Sequence, residues 1–185
     1  MMLPTIDELK TILEQELPGV SLTLEGLPAP ARLASPSEAA GAQAGLPAAT
    51  GAAQAGSILL VTPEDLTAVC RYLKDTERFR MDYLANLTAV DYPPDRMDVV
   101  YHLYSMEKKH GPIALKVKLP RQNPMVASVT PIWRGAEFQE REVYDLYGVT
   151  FAGHPDLRRI LMWDDFEGHP MRKDYVPENQ NILKG

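Results

Sequence analysis

The sequence predicts an α+β fold: a two-layer α/β domain, then a further helix and a long irregular C-terminal arm. Two observations carry the domain. Segments with helical spacing of apolar residues and segments with alternating spacing follow one another in the order α-β-β-α-β-β-β, and helices are too few to serve as crossovers for a doubly wound sheet. A third observation carries the arm. The 43 residues from Trp133 to Tyr175 hold eight of the 14 aromatics and 15 charged residues, with no sustained period after Gly148.

The first helix starts at Thr5. Thr5 and Glu8 have the spacing of a capping box, in which each side chain satisfies a free backbone N–H of the first turn. Ile6, Leu9, Leu13 and Leu17 then recur on one face, and Pro18-Gly19 ends the helix. Val20, Leu22 and Leu24 alternate with polar residues and predict a short strand. Residues 26–56 differ: of 31 residues, 21 are Ala, Gly or Pro. Such a stretch buries too little apolar surface to offset its ordering entropy and predicts a flexible loop within the domain.

Ser57 to Val61 predict a second strand. Thr62-Pro63-Glu64-Asp65 predict a helix start, with a capping Thr, Pro at the first position and acids in the first turn. Leu66, Val69, Cys70 and Leu73 form its buried face, which makes Cys70 a small core residue. Strands follow at 84–91 and 97–105. A third has Ile113, Leu115, Val117 and Leu119 alternating with lysines, one face dry and one wet.

A net charge of -6 argues against nucleic acid as a partner. One cysteine makes no intrachain disulfide and cannot supply the four thiolates of an iron–sulfur cluster. No apolar run is long enough to predict a membrane span, and the N-terminus lacks the pattern of a signal peptide.

Residues 135–147 predict a helix in which Glu137, Arg141 and Asp145, at i, i+4 and i+8, form a solvated, self-paired face. Gly148 stands where a helix end takes a left-handed residue. Residues 1–147 thus form the domain and 148–185 the arm. In the arm, Phe151, Leu157, Ile160, Leu161, Met162, Trp163 and Phe166 are mixed with charges. A disordered tail would lack those aromatics, and a compact core would exclude those charges. Aromatics together with arginine are what protein interfaces enrich, so the arm reads as an element that grips another polypeptide. The other reading is an irregular coil packed on its own domain.

His154 and His169 both lie in Gly-His-Pro turns. With Asp164 and Asp165 they could furnish a metal site for a free-standing hydrolase. Their spacing is not a metal-ligand spacing, and histidines bonded to nearby backbone or carboxylate explain them better. There is no phosphate loop, nucleophile elbow or His-Glu-x-x-His, so no catalytic, cofactor-binding or metal residue is assigned.

Four runs of this segment carry a resemblance. They are Trp133-Arg134-Gly135-Ala136, Glu140-Arg141-Glu142-Val143-Tyr144-Asp145-Leu146-Tyr147-Gly148, Phe151-Ala152-Gly153-His154-Pro155-Asp156-Leu157-Arg158-Arg159-Ile160-Leu161 and Glu167-Gly168-His169-Pro170-Met171-Arg172-Lys173-Asp174-Tyr175. Together they closely resemble the signature of the 30 kDa peripheral-arm family of proton-pumping NADH:quinone oxidoreductase, respiratory complex I, whose bacterial members are its C-type subunits. Phe138 stands where the family has Trp, Met171 where it has Leu, and Trp163 where it often has Pro, all apolar exchanges.

The resemblance implies a non-catalytic, cofactor-free component of the hydrophilic arm of a translocase. Flavin mononucleotide, iron–sulfur clusters and quinone belong to the holoenzyme. It implies packing on the large D-type component that forms the quinone site, near the cluster-bearing components of B and I type. The implied location is peripheral, on the cytoplasmic side of the cell membrane, with membrane contact only through the complex. The implied interface residues are Glu140, Arg141, Glu142, Asp145, Phe151, His154, Asp156, Arg158, Arg159, His169, Arg172, Lys173, Asp174 and Tyr175, with Arg and Asp pairing across the interface and aromatics filling pockets. Ferredoxin-driven quinone reductases and membrane-bound hydrogenases of the same lineage carry related components and are the alternative.

Overall fold

The computed structural model describes residues 4–26 and 57–176. Of the Ala-rich segment read as a loop at 26–56, Gly26 ends a strand and the rest lies outside the described residues, as does the chain beyond 176. The elements are α1 (Ile6–Glu16), β1 (Leu22–Gly26), β2 (Ser57–Val61), α2 (Leu66–Asp75), β3 (Tyr83–Tyr92), β4 (Arg96–Ser105), β5 (His110–Pro120), β6 (Met125–Ala127), α3 (Ala136–Tyr147) and β7 (Thr150–Ala152). Five strands form one sheet in the order β1-β2-β5-β4-β3, with only β2 and β5 parallel.

The α-β-β-α-β-β-β order holds for the five-stranded sheet and its first two helices. The capping box is made in full: the Thr5 N–H donates to Glu8 Oε2 at 2.9 Å and the Glu8 N–H to Thr5 Oγ1 at 3.3 Å. α2 begins at Leu66, after the Thr62-Pro63-Glu64-Asp65 stretch read as its first turn. The acid there is spent elsewhere: Asp65 Oδ2 accepts from Thr62 Oγ1 at 2.8 Å and from the Ser21 N–H at 3.1 Å. It closes a turn and ties α2 to the start of β1.

Cross-strand register gathers Leu59, Leu115, Tyr101 and Leu87 in one row and Val117, Val99 and Ala89 in the next. Leu9 and Leu13 of α1 and Leu66, Val69, Cys70 and Leu73 of α2 close over this face, and all are buried. Burial pushes the Cys70 thiol up, which keeps it an unreactive core group.

Three contacts seat α3 and the turn before it against α2, the lead into β3 and the edge strand β3 itself. Trp133 Nε1 donates to the Met81 carbonyl at 2.9 Å. Lys74 Nζ donates to the Ile132 carbonyl. Gln139 Oε1 accepts the Leu87 N–H at 2.5 Å, satisfying a backbone donor on the strand edge. Strands β6 and β7 flank α3 and pair in parallel, Val126 opposite Phe151. The sequence pattern marks neither. They bury Val149 and Phe151, so ordered secondary structure continues past the expected boundary at 147, and the irregular segment begins at Gly153.

Candidate functional site

The polar face of α3 differs from its expectation. The spacing predicts a solvated, self-paired face, yet Arg141 and Asp145 are buried and neither pairs along the helix. Arg141 Nε and Nη2 donate to the carbonyls of Arg158 and Arg159 at 3.2 and 3.1 Å. Asp145 Oδ1 accepts from Arg159 Nη1 at 2.6 Å. Its Oδ2 accepts three successive backbone N–H groups, Ile160 at 3.0, Leu161 at 2.7 and Met162 at 2.8 Å. Burial pulls the Asp145 carboxyl upward, but these hydrogen bonds outweigh it and hold it below the usual aspartate range.

Glu140 is fully buried on another side of the helix. It accepts from Ser128 Oγ at 2.6 Å, the Val129 N–H at 2.7 Å and Thr130 Oγ1 at 3.2 Å. Burial dominates here and raises its carboxyl above the ordinary value. Glu142, between these neighbours in the same motif, is exposed.

Both histidines hold turns. His154 Nδ1 accepts the Asp156 N–H at 3.0 Å, so Nε2 carries the proton and meets the Glu137 carbonyl at 3.0 Å. Nε2 also lies 4.0 Å from Glu140. His169 Nδ1 meets the Asp145 carbonyl at 3.0 Å, and its ring rests on the Cα of Gly148. Burial, with Arg172 and Arg159 nearby, lowers its pKa and keeps the ring neutral. With no group of three His, Cys, Asp or Glu side chains gathered among the described residues, the His154, His169, Asp164 and Asp165 metal reading has no assembled ligand set.

A second anchor lies at the end of the arm. Arg121 grips Asp91 at 2.6 and 3.0 Å and reaches Asp174 at 2.5 Å. Asp91 also accepts the Lys173 N–H at 2.9 Å. The Arg121 hydrogen bonds lower the Asp91 carboxyl. Arg172 Nε donates to the Tyr147 carbonyl at 2.6 Å, and Tyr175 stacks on Phe166. Arg158 pairs with Asp156 at the surface, both exposed.

Most polar side chains of the signature are therefore engaged within the chain: Glu140, Arg141, Asp145, His154, Asp156, Arg158, Arg159, His169, Arg172 and Asp174. Phe151 is a core residue. Large apolar side chains face outward among the exposed charges. Trp163 is 65% exposed, Phe138 59%, Leu161 57% and Met171 53%. Sequence reasoning places the polar residues at an interface and treats the aromatics as filling. The geometry gives Glu140, Arg141, Asp145, Arg159, His169 and Arg172 to the arm's own seat and leaves an outer face on which large apolar side chains stand among exposed charges. Phe138 and Glu142, at i and i+4 on α3, extend the outward surface.

Residues 59–181 match the family described as respiratory-chain NADH dehydrogenase, 30 Kd subunit. The chain belongs to this family. The match spans all fourteen signature residues from Glu140 to Tyr175. The chain is similar to a protein of Moorella thermoacetica named as the C-type subunit of NADH-quinone oxidoreductase, 52% identical over 118 residues, which cover 63% of this chain and 78% of that one. It is also similar to a protein of Phocaeicola vulgatus whose name joins the C and D types of the same oxidoreductase. They are 45% identical over 112 residues, 60% of this chain and 21% of that protein. A chain in the structure of the membrane-bound sulfane sulfur reductase, an archaeal respiratory membrane complex, shares the fold. Its TM-score is 0.62 at 20% identity, covering 98% of this chain and 89% of that one. No helix of this NADH dehydrogenase family member, among the described residues, is long and apolar enough to cross a membrane.

Proposed function

We propose that this chain is a non-catalytic, cofactor-free component of the peripheral arm of NADH-quinone oxidoreductase, seated on the D-type quinone-site component near the cluster-bearing B and I types. In this reading it lies at the cytoplasmic side of the membrane and touches the membrane only through the complex. The holoenzyme passes electrons from NADH through flavin and iron–sulfur clusters to quinone and moves protons. The chain's part is to hold its neighbours at fixed separations.

The observation that carries this reading is the set of large apolar side chains that the seated arm turns outward. A solvated loop turns polar groups to water and apolar groups inward. This arm commits Arg159, His169 and Arg172 to its own domain, and beside its exposed charges it turns Leu161, Trp163 and Met171 outward. That arrangement suits a surface which another polypeptide covers. A relative whose name joins the C and D types supports the D type as the neighbour.

The test is purification from native membranes through a tag on this chain, followed by identification of the companion chains. The quinone-site component, the two cluster-bearing components and a flavin-bearing NADH module are expected. Recovery of the chain alone overturns the reading. A complex without the NADH module removes NADH as donor and turns the assignment to a ferredoxin-driven or hydrogenase relative.

A further inference from the structure

The outward face of the arm has a structure finer than apolar. Ile160, Leu161 and Met162 give all three of their N–H groups to Asp145, so the chain leading into Trp163 is pinned. Trp163 meets Phe166 edge-on, with ring centroids 4.8 Å apart, and Phe166 in turn lies on Tyr175 at 6.0 Å. The Arg159 guanidinium sits 5.5 Å from the Phe166 ring centroid. Met171 joins from the other limb, its N–H donating to the Leu146 carbonyl at 3.1 Å, one residue from Asp145. Trp163 is thus a held, two-thirds exposed indole backed by two further rings.

Asp164, Asp165 and Glu167 surround it in sequence, and all three are exposed. Among the described residues none of the three has an ion-pair partner. The nearby Arg159 is committed to Asp145 and to the carbonyls of Phe166 and Gly168. Among the described residues the knob therefore carries three unpaired carboxylates flanking Trp163 in sequence.

We infer that Trp163 is the anchor of an acid-rimmed knob that enters an apolar pocket bordered by lysine and arginine on a neighbouring protein of the complex. The inference deepens the proposed role and rests on it. A pre-held tryptophan loses little conformational freedom on docking and has the character of an interface hot spot. A rim of one sign selects a partner of the other and steers its approach. The same rim disfavours the other home of an exposed tryptophan, an anionic membrane surface, where cations would be needed.

The experiment uses the whole complex from native membranes, captured through this chain, with retention followed as salt is raised. Trp163→Ala should lower the fraction retained at least tenfold at every salt concentration. Asp164→Asn/Asp165→Asn/Glu167→Gln should lose several-fold at low salt and flatten the salt dependence. The lysine triple, Asp164→Lys/Asp165→Lys/Glu167→Lys, should be excluded. The three carboxylates make no ion pair among the described residues and Trp163 meets the arm at the edge of Phe166, and unchanged proteolysis of the free chain checks that the arm stays seated. Wild-type retention and salt dependence in all three variants overturn the inference alone. So does an effect of Trp163→Ala without an effect of the acids. Binding of the purified chain to anionic phosphatidylserine vesicles through Trp163 overturns it in favour of a membrane. A wild-type chain recovered without companions overturns the proposed role first, and this inference with it.

Discussion

Asp145 and Arg159 stand fourteen residues apart and meet at 2.6 Å, the carboxylate fully buried and the guanidinium partly buried. One carboxylate thereby fixes a helix end and four consecutive arm residues, 159 to 162. Removing it takes the carboxylate partner from a partly buried guanidinium and strands three N–H donors. Breaking a buried pair in this way costs about 3–5 kcal/mol. The loss falls on arm seating, so Asp145→Ala should raise the open population of the arm by at least about a hundredfold. Native-state proteolysis within 153–176 reads that population when cleavage is slower than reclosing. Unchanged cleavage would show that the Asp145 staple does not hold the arm.

Acid should release the arm in two stages. His169 has its pKa lowered by burial from the ordinary 6.5, so the folded state prefers the neutral ring. Its contribution is complete above 6.5 and is lost as pH falls through the window below it. Asp145 and Asp91 are held below the ordinary 3.8. Their contribution is complete above 3.8 and is lost as pH falls from there toward their folded values. The rate of backbone amide exchange in 153–176, corrected for its intrinsic pH dependence, should rise below 6.5 and again below 3.8. His169→Gln should remove the first rise and leave the second. A single rise that survives both His169→Gln and Asp145→Ala would assign the titration to other groups.

What could be read from the sequence was what local rules decide. The Thr5–Glu8 box and the alternation of Ile113 to Leu119 are set by neighbours within a few residues, and the left-handed Gly148 by the end of its own helix. Each takes its expected form. The spacing of Glu137, Arg141 and Asp145 is equally local, but it misleads, because i, i+4 acid–base spacing is the same whether the face meets water or another part of the chain. The partners of Arg141 and Asp145 lie 14 to 18 residues onward and are largely backbone groups that no side-chain pattern marks. Strands β6 and β7, three residues each, are too short to display alternation. The contiguous signature locates the arm and its seat. It cannot tell which of its residues face inward, since a seat and an interface ask for the same residue types.

Gly148 and Gly135 bracket α3 and should respond oppositely to alanine. Gly148 has φ +74°, and an added Cβ would enter the ring of His169. The left-handed conformation alone costs an alanine about 1–2 kcal/mol, and displacing His169 from the Asp145 carbonyl adds to it. Gly135 has φ −63° and ψ −14°, and a Cβ there meets nothing within 4 Å. Alanine at 135 should be neutral or stabilising by up to about 1 kcal/mol, through a less free unfolded chain. Denaturant midpoints compare the two. Equal midpoints for Gly148→Ala and wild type would mean that the His169 ring yields without loss.

Glu140 and Glu142 share one Glu-Arg-Glu motif and differ in everything that sets stability. Glu140 is the acceptor for two hydroxyls and a backbone N–H that bind the 128–130 loop to α3. Glu140→Ala leaves all three donors buried without a partner. Each stranded donor costs about 1–3 kcal/mol, so a total loss of about 3–5 kcal/mol is expected after local relaxation. Glu140→Gln keeps the shape and one acceptor oxygen and should fall between Ala and wild type. Glu142 is exposed, and Glu142→Ala should change stability by no more than about 0.5 kcal/mol. Its effect, if it has one, belongs to association: less of the variant should be retained in the complex while the free chain melts as wild type does. Urea unfolding of the four proteins, beside retention of each in native membranes, separates the two roles. Matching losses of stability for Glu140→Ala and Glu142→Ala would contradict the division of this motif into a buried seat and an outward face.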